Sequence, residues 1–208
     1  MFYNIAHIVV GILWRLWFRL EFYGLENVPK EGGFIFCCNH ISGLDPTIVC
    51  LGVPRKYKLR FMGKAELFEV PFLKHIIRWL GVFPVSRGTG DTTAISTAAD
   101  IIAKGGVLGI FPEGTRSPDG SLLRFKSGLS LIASQTKADI FPCAITYTQG
   151  KKFRSRVIVN YGPVIPYQSL GFSTGAPREL KEATRIVQAA VEHLKAQHQP
   201  ALPAPKEE

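Results

Sequence analysis

His40 and Asp45, in the stretch "CCNHISGLDPT", are the two side chains whose types and spacing most directly suggest chemistry. Histidine is the side chain that exchanges a proton near neutral pH, and a carboxylate bonded to one ring nitrogen fixes the tautomer and makes the other nitrogen a better base. The two residues are five positions apart. In one continuous helix they would point about 140° away from each other. They can meet only where a loop turns into a helix, and the flanking residues describe such a place. "GFIFCCN" is short, apolar and suited to a buried strand. Asp45-Pro46 before "TIVCL" reads as a helix start, with aspartate at the cap and proline at the first helical position. His40 is therefore expected in a strand-to-helix loop. Taken alone, the pair is also compatible with a polar loop histidine beside a capping aspartate.

Two more polar clusters follow apolar runs. "SRGTGD" after "VFPV" brings Arg87, and "EGTRSPDG" after "VLGIFP" brings Glu113, Gly114, Thr115 and Arg116, with Lys126 close behind in "RFKSG". Arginine forks and backbone amides such as the Gly114 N–H suit phosphate. In open α/β sheets ligands gather at the carboxyl ends of strands, so the three loops are expected to converge on one pocket. A base beside a phosphate site suits activation of a hydroxyl on a phosphorylated small molecule. Each arginine also has a plain reading as a surface or ion-pairing residue, and Glu113 as the partner of one of them.

The elements that must position these groups alternate along the chain. Strands are expected at "FIFCCN", "LRFMG", "VFPVSRG", "VLGIFP", "ADIFPCAIT" and within "KFRSRVIVNYGPVI". Between them lie helical patterns at "DPTIVCLG", "AELFEVPFLKHIIRWLG" (interrupted by Pro71), "DTTAISTAADIIAKGG" and "KSGLSLIASQT". The segment "APRELKEATRIVQAAVEHLKAQH" carries one apolar stripe through Leu180, Ala183, Val187, Ala190, Val191 and Leu194, the pattern of a packing helix. Strands alternating with helices give an α/β fold, a single sheet flanked by helices on both faces. The expected organisation is an N-terminal membrane-associating segment over residues 1–22, one domain over 23–198 and a disordered, Pro-rich charged tail over 199–208.

The bulk composition narrows the partners. Of 208 residues, 46% are hydrophobic and 20% charged, which fits a folded chain with a sizeable core. The formal charge of +9, from 25 Lys plus Arg against 16 Asp plus Glu, favours anionic partners. Nucleic acid is disfavoured, because no helix-turn-helix, zinc-finger or RNA-binding signature is present. The four cysteines contain no C-x-x-C pair and read as buried reduced thiols. The first fourteen residues, "MFYNIAHIVVGILW", carry no formal charge and precede Arg15, Trp17 and Arg19. That stretch is shorter than the roughly 20 apolar residues a spanning helix needs. An apolar helix ending in Trp and Arg fits one lying in a membrane interface; the plain alternative is a buried first helix.

Together the loops resemble the glycerolipid acyltransferase family, the group that includes the 1-acyl-glycerol-3-phosphate acyltransferases. The family motif N-H-x-S-x-x-D is met by Asn39, His40, Ser42 and Asp45. The glycine-to-arginine motif is "GVFPVSR", Gly81 to Arg87, with Pro84 where phenylalanine is common; F-P-E-G-T-R-S is complete from Phe111 to Ser117. The proline of the fourth motif is Pro142 in "IFPCAI". The resemblance covers residues 20 to 170 and also takes in "KAEL" and "FKSG". It implies direct acyl transfer from a thioester, acyl-CoA or acyl-carrier protein, to the free hydroxyl of lysophosphatidic acid. His40 would be the base and Asp45 would hold it. Arg87, Glu113, Gly114, Thr115, Arg116 and Lys126 would bind the glycerol phosphate. It implies no metal and no resident cofactor, and a place on the cytoplasmic face of the cell membrane.

Two same-site alternatives remain open on the sequence: an acyltransferase for glycerol 3-phosphate or another lysolipid, and a lipid-binding protein without catalysis. A serine hydrolase is disfavoured, because the G-x-S-x-G elbow is absent and "SGLSL" lacks the second glycine. The basic segments "RKYKLR" and "GKKFRSR" are expected to meet either anionic lipid or an acidic carrier protein.

Overall fold

In the strand β2 (Ile35–Cys38) every residue is buried, as a strand covered on both faces must be. The computed structural model describes residues 2–85 and 92–198 and sets β2 in the middle of the sheet. The other strands are β1 (Arg19–Tyr23), β3 (Arg60–Lys64), β4 (Phe83–Val85), β5 (Leu108–Ile110), β6 (Ile140–Lys151) and β7 (Arg156–Tyr161). The seven lie in the order β1-β7-β6-β2-β5-β3-β4. β6, β2, β5, β3 and β4 run parallel, whereas β7 is antiparallel to β6 and β1 parallel to β7. The helices are α1 (Phe2–Trp17), α2 (Asp45–Val49), α3 (Leu73–Trp79), α4 (Thr92–Ala103), α5 (Gly128–Thr136) and α6 (Pro177–Ala196).

The alternation of side chains along β2 divides the core in two. Ile35 and Cys37 join Ile102 of α4, Leu129 of α5 and Val187 of α6 on one face. Phe36 and Cys38 join Ile48 of α2, Phe61, Phe141 and Tyr161 on the other, which is flanked by Trp14 of α1 and Phe18 just after it. The stripe expected on α6 is the buried one, with Ala183, Val187, Val191 and Leu194 each at 5% exposure or less. Among the described residues no helix is long and apolar enough to cross a membrane.

Three features depart from the expectations. Residues 19–22, grouped in the sequence with the N-terminal segment, belong to the edge strand β1. Leu20 and Phe22 pack on the core while Glu21 takes a two-point bond from Arg156 of β7, at 2.6 Å for Nε and 2.6 Å for Nη2. The "AELFEVPFLKHIIRWLG" segment is a short 3-10 turn, Ala65–Phe68, followed by α3, and not one interrupted helix. Pro71 has no N–H to donate and restricts Val70 before it, so the helix can only restart beyond it. β6 runs well past "ADIFPCAIT", to Lys151, before the chain turns into β7. The expected disordered tail, 199–208, lies outside the described residues, as does the loop holding Arg87.

Candidate active site

The site begins where β2 ends. Asn39 is fully buried and pairs with the backbone of β6 in both directions, donating to the Ile145 carbonyl at 3.0 Å and accepting the Ile145 N–H at 2.8 Å. An amide side chain that closes two backbone bonds ends a strand in a defined direction, which aims the next residue, His40, out of the sheet edge. The His40 imidazole stacks on Phe111, which follows β5, with ring centroids 4.2 Å apart. Its Nδ1 lies 2.9 Å from Oδ2 of Asp45. The five-residue spacing is thus closed by a loop, as expected, and with the carboxylate accepting, Nδ1 carries the proton and Nε2 is the basic nitrogen. Nε2 has no hydrogen-bond partner among the described residues, and the His40 side chain is 17% exposed.

Asp45 does more than the sequence suggests. The structural cap of α2 is Leu44, and Asp45 is the first helical residue, so its carboxylate is not spent on its own helix. It turns back into the loop. Oδ2 accepts the N–H of Ile41 at 2.6 Å and of Ser42 at 2.7 Å, besides His40. Oδ1 accepts the hydroxyl of Tyr147, on β6, at 2.7 Å. Burial pushes the Tyr147 phenol well above its ordinary value, with the Asp45 charge adding to it, so the hydroxyl stays a donor. Sequence reasoning missed Tyr147. The available signal was a tyrosine in the strand "AITYT", whose buried hydroxyl needs a partner.

The Phe111–Ser117 turn comes to the same edge. Glu113, expected among the substrate-binding residues, is 2% exposed and holds backbone instead. One oxygen accepts the His40 N–H at 2.8 Å and the other the Leu123 N–H at 3.3 Å. Burial raises its carboxyl, and those two amides pull it back. The Gly114 N–H, expected to face an anion, is taken by the Phe111 carbonyl at 3.1 Å. Ser117 ties the turn to the base by donating its N–H to the His40 carbonyl at 2.8 Å. Thr115 and Arg116 are exposed. A methyl group placed on Gly43 would lie 3.7 Å from the Arg116 guanidinium, so that cation sits over the His40 loop. Lys126 lies over Gly114, where an added Cβ would be 2.9 Å from Nζ. Neither cation has an ion-pair partner among the described residues.

Beside the loop, Gly43, Pro46 and Thr47 line an apolar cavity of about 110 Å³ with Val10 of α1 and Ile77 and Leu80 at α3. The site therefore combines a held base, two unpaired cations and a small apolar recess at one sheet edge. That set can deprotonate a hydroxyl on an anionic molecule that also carries an aliphatic chain.

Comparison with known proteins bears on the family of the chain. A profile of the Acyltransferase family matches residues 19–146. The 1-acyl-sn-glycerol-3-phosphate acyltransferase of Bacillus subtilis is 31% identical over 60% of this chain and 61% of its own length. The enzyme of the same name from Borreliella burgdorferi is 30% identical over 72% and 60%. The crystal structure of the 1-acyl-sn-glycerophosphate acyltransferase from Thermotoga maritima superimposes with a TM-score of 0.66 at 30% identity, covering 87% of this chain and 74% of that one. The chain spans about three fifths of the length of the two bacterial relatives. The family match over residues 19–146, which takes in the Asn39–Asp45 loop and the Phe111–Ser117 turn, makes the chain a member of the Acyltransferase family.

Proposed function

We propose that the chain moves a fatty acyl group from an acyl thioester to the free hydroxyl of a 1-acyl-glycerol 3-phosphate, giving phosphatidic acid. The observation that carries this reading is the His40 Nε2, held by the buried Asp45 and left without a partner beside the unpaired Arg116 and Lys126. Nε2 takes the proton of the acceptor hydroxyl as its oxygen attacks the thioester carbonyl. The tetrahedral intermediate collapses, the carbon–sulfur bond breaks, and the departing thiolate takes the proton from His40. No acyl-enzyme forms and no metal is needed. The Ile41 and Ser42 amides are occupied by Asp45, and the Gly43 N–H is the amide of that loop with no partner among the described residues. It is the donor we assign to the oxyanion.

Arg116 and Lys126, together with Arg87 outside the described residues, hold the acceptor phosphate. Glu113 serves them indirectly by fixing the turn. The apolar recess beside Gly43 takes part of an acyl chain. Because such an acceptor stays in the bilayer, the protein must work there. α1 supports this: Ile5, Ile8, Val9, Ile12, Leu13 and Leu16 form one face, each 48% exposed or more. Trp17 and Phe153 extend that face, their rings 5.4 Å apart, beside Lys151, Lys152 and Arg154. We place the protein by this face on the cytoplasmic leaflet.

Transfer of a labelled acyl group from a thioester to lysophosphatidate in mixed micelles tests the reading. His40→Ala is expected to lose nearly all turnover, since general-base help is typically worth ~10²–10⁴-fold; a folded variant with wild-type turnover refutes the mechanism. Tyr147→Phe removes a bond to a charged group worth about 1.5–3 kcal/mol. It is expected to lower kcat roughly ten- to a hundredfold with KM for both substrates little changed; an unaltered kcat contradicts the role of Tyr147. Ile12→Glu with Leu16→Glu is expected to abolish co-sedimentation with anionic vesicles, and full retention would remove α1 from the membrane.

A further inference from the structure

The sheet has one flank turned to α1 and α2 and another covered by α4, α5 and α6. On the second flank, the segment Arg124–Ser127 and α6 from Pro177 to Glu192 wall an open groove of about 1340 Å³. Five cations line it, Arg124, Lys126, Arg178, Lys181 and Arg185, against Glu182 and Glu192. Arg185 is paired with Glu182 at 2.7 Å, while the other four make no ion pair among the described residues. All five are exposed. The floor is fixed: Ser130 and Thr184 share a hydrogen bond of 2.7 Å, and Gln188 accepts the Phe125 N–H at 3.0 Å.

The groove shares Lys126 with the turn that holds the candidate active site. The Lys126 N–H donates to the Pro112 carbonyl at 2.8 Å, and the Lys126 side chain lies over Gly114. The same turn is bonded to the His40 carbonyl through Ser117. A macromolecule seated in the groove therefore meets the turn whose Glu113 and Ser117 hold the base.

From this arrangement we propose that the groove docks the acyl donor in the form of an acidic carrier protein, a conclusion that rests on the acyl-transfer reading. Three observations favour that occupant. Arg124, Arg178 and Lys181, without ion-pair partners among the described residues and apart from the acceptor-phosphate cations, complement an acidic surface and would steer its approach. The groove lies on the flank of the sheet away from α1, so with α1 on the bilayer it faces water, where a soluble donor arrives. Its one aromatic lining residue, Phe125, is 4% exposed and leaves no ring on which a nucleotide base could stack. Acceptor and donor then enter from opposite flanks and meet at the carboxyl end of β2.

The test uses the full chain and the double charge reversal Arg178→Glu with Lys181→Glu. Both positions are solvent-exposed in the first turns of α6, where negative charge suits the helix dipole, so the fold is expected to persist. A purified acidic acyl-carrier protein bearing a palmitoyl thioester is titrated into wild type and variant by calorimetry. KM for that donor, KM for palmitoyl-CoA and binding to anionic vesicles are measured alongside. The expected result is carrier binding and carrier KM weakened about tenfold or more, steeply salt-dependent in the wild type, with the other two readouts unchanged. Equal carrier binding by both proteins overturns the proposal. So does a variant that loses palmitoyl-CoA use or vesicle binding instead, which would give the groove to nucleotide or lipid phosphates. Binding is read without turnover, so the two readings fail separately. A wild type that binds carrier and transfers nothing defeats acyl transfer and keeps the docking surface. A wild type that transfers from palmitoyl-CoA and does not bind carrier defeats the docking surface alone.

Discussion

The carboxylate of Asp45 is buried at 0% exposure, and its charge is carried by four donors: the Nδ1–H of His40, the N–H groups of Ile41 and Ser42, and the Tyr147 hydroxyl. An ionised carboxylate taken out of water is costly unless it is paired and hydrogen-bonded, so the loop has to fold tightly around it. That requirement explains the local geometry. Ile41 and Ser42 turn their amides inward, the chain reverses at Gly43, and α2 can start only at Asp45 itself. The strands on either side are drawn in. β6 contributes Tyr147 and receives Asn39, and β5 leads to Phe111 under the imidazole. Glu113 repeats the device on the next strand connection, gripping the His40 N–H from the other side.

The same network reaches the N-terminal helix. Phe18, which follows α1, meets the Tyr147 ring edge-on at 6.0 Å, and Trp14 donates to the Thr47 hydroxyl of α2 at 2.9 Å. The face of α1 turned to the protein thus braces the base, while its other face exposes six large aliphatic side chains, Ile5, Ile8, Val9, Ile12, Leu13 and Leu16. Not every basic segment belongs to that surface. Arg55, Lys56 and Lys58 precede β3, and Arg60 opens it at the amino edge of the sheet, the end opposite His40. Lys152 and Arg154, by contrast, sit in the β6–β7 turn beside Trp17.

Much of this was legible in the residues, for identifiable reasons. The apolar run ending at Cys38 and the Asp45-Pro46 pair gave the strand, the loop and the helix start to within a residue, because burial and proline act locally. The stripe on α6 was readable because helical period survives in a long amphipathic segment. β1 was not read, since "RLEFY" alternates only over five residues and follows a long apolar helix that draws it into the same segment. Tyr147 and the backbone role of Glu113 depend on contacts 102 and 73 residues apart in sequence, and no local pattern encodes those. The fourth-motif proline, Pro142, signalled the strand; the functional side chain on it lies five residues further on.

The most direct test of the account is the proton position on His40, read by nitrogen-15 NMR of histidine-labelled protein at a pH where the ring is neutral. A carboxylate that holds Nδ1 predicts the tautomer protonated at Nδ1, with Nε2 bare, and loss of that preference in Asp45→Asn. A neutral His40 protonated at Nε2 would leave no base facing the acceptor hydroxyl and would contradict the mechanism at its centre.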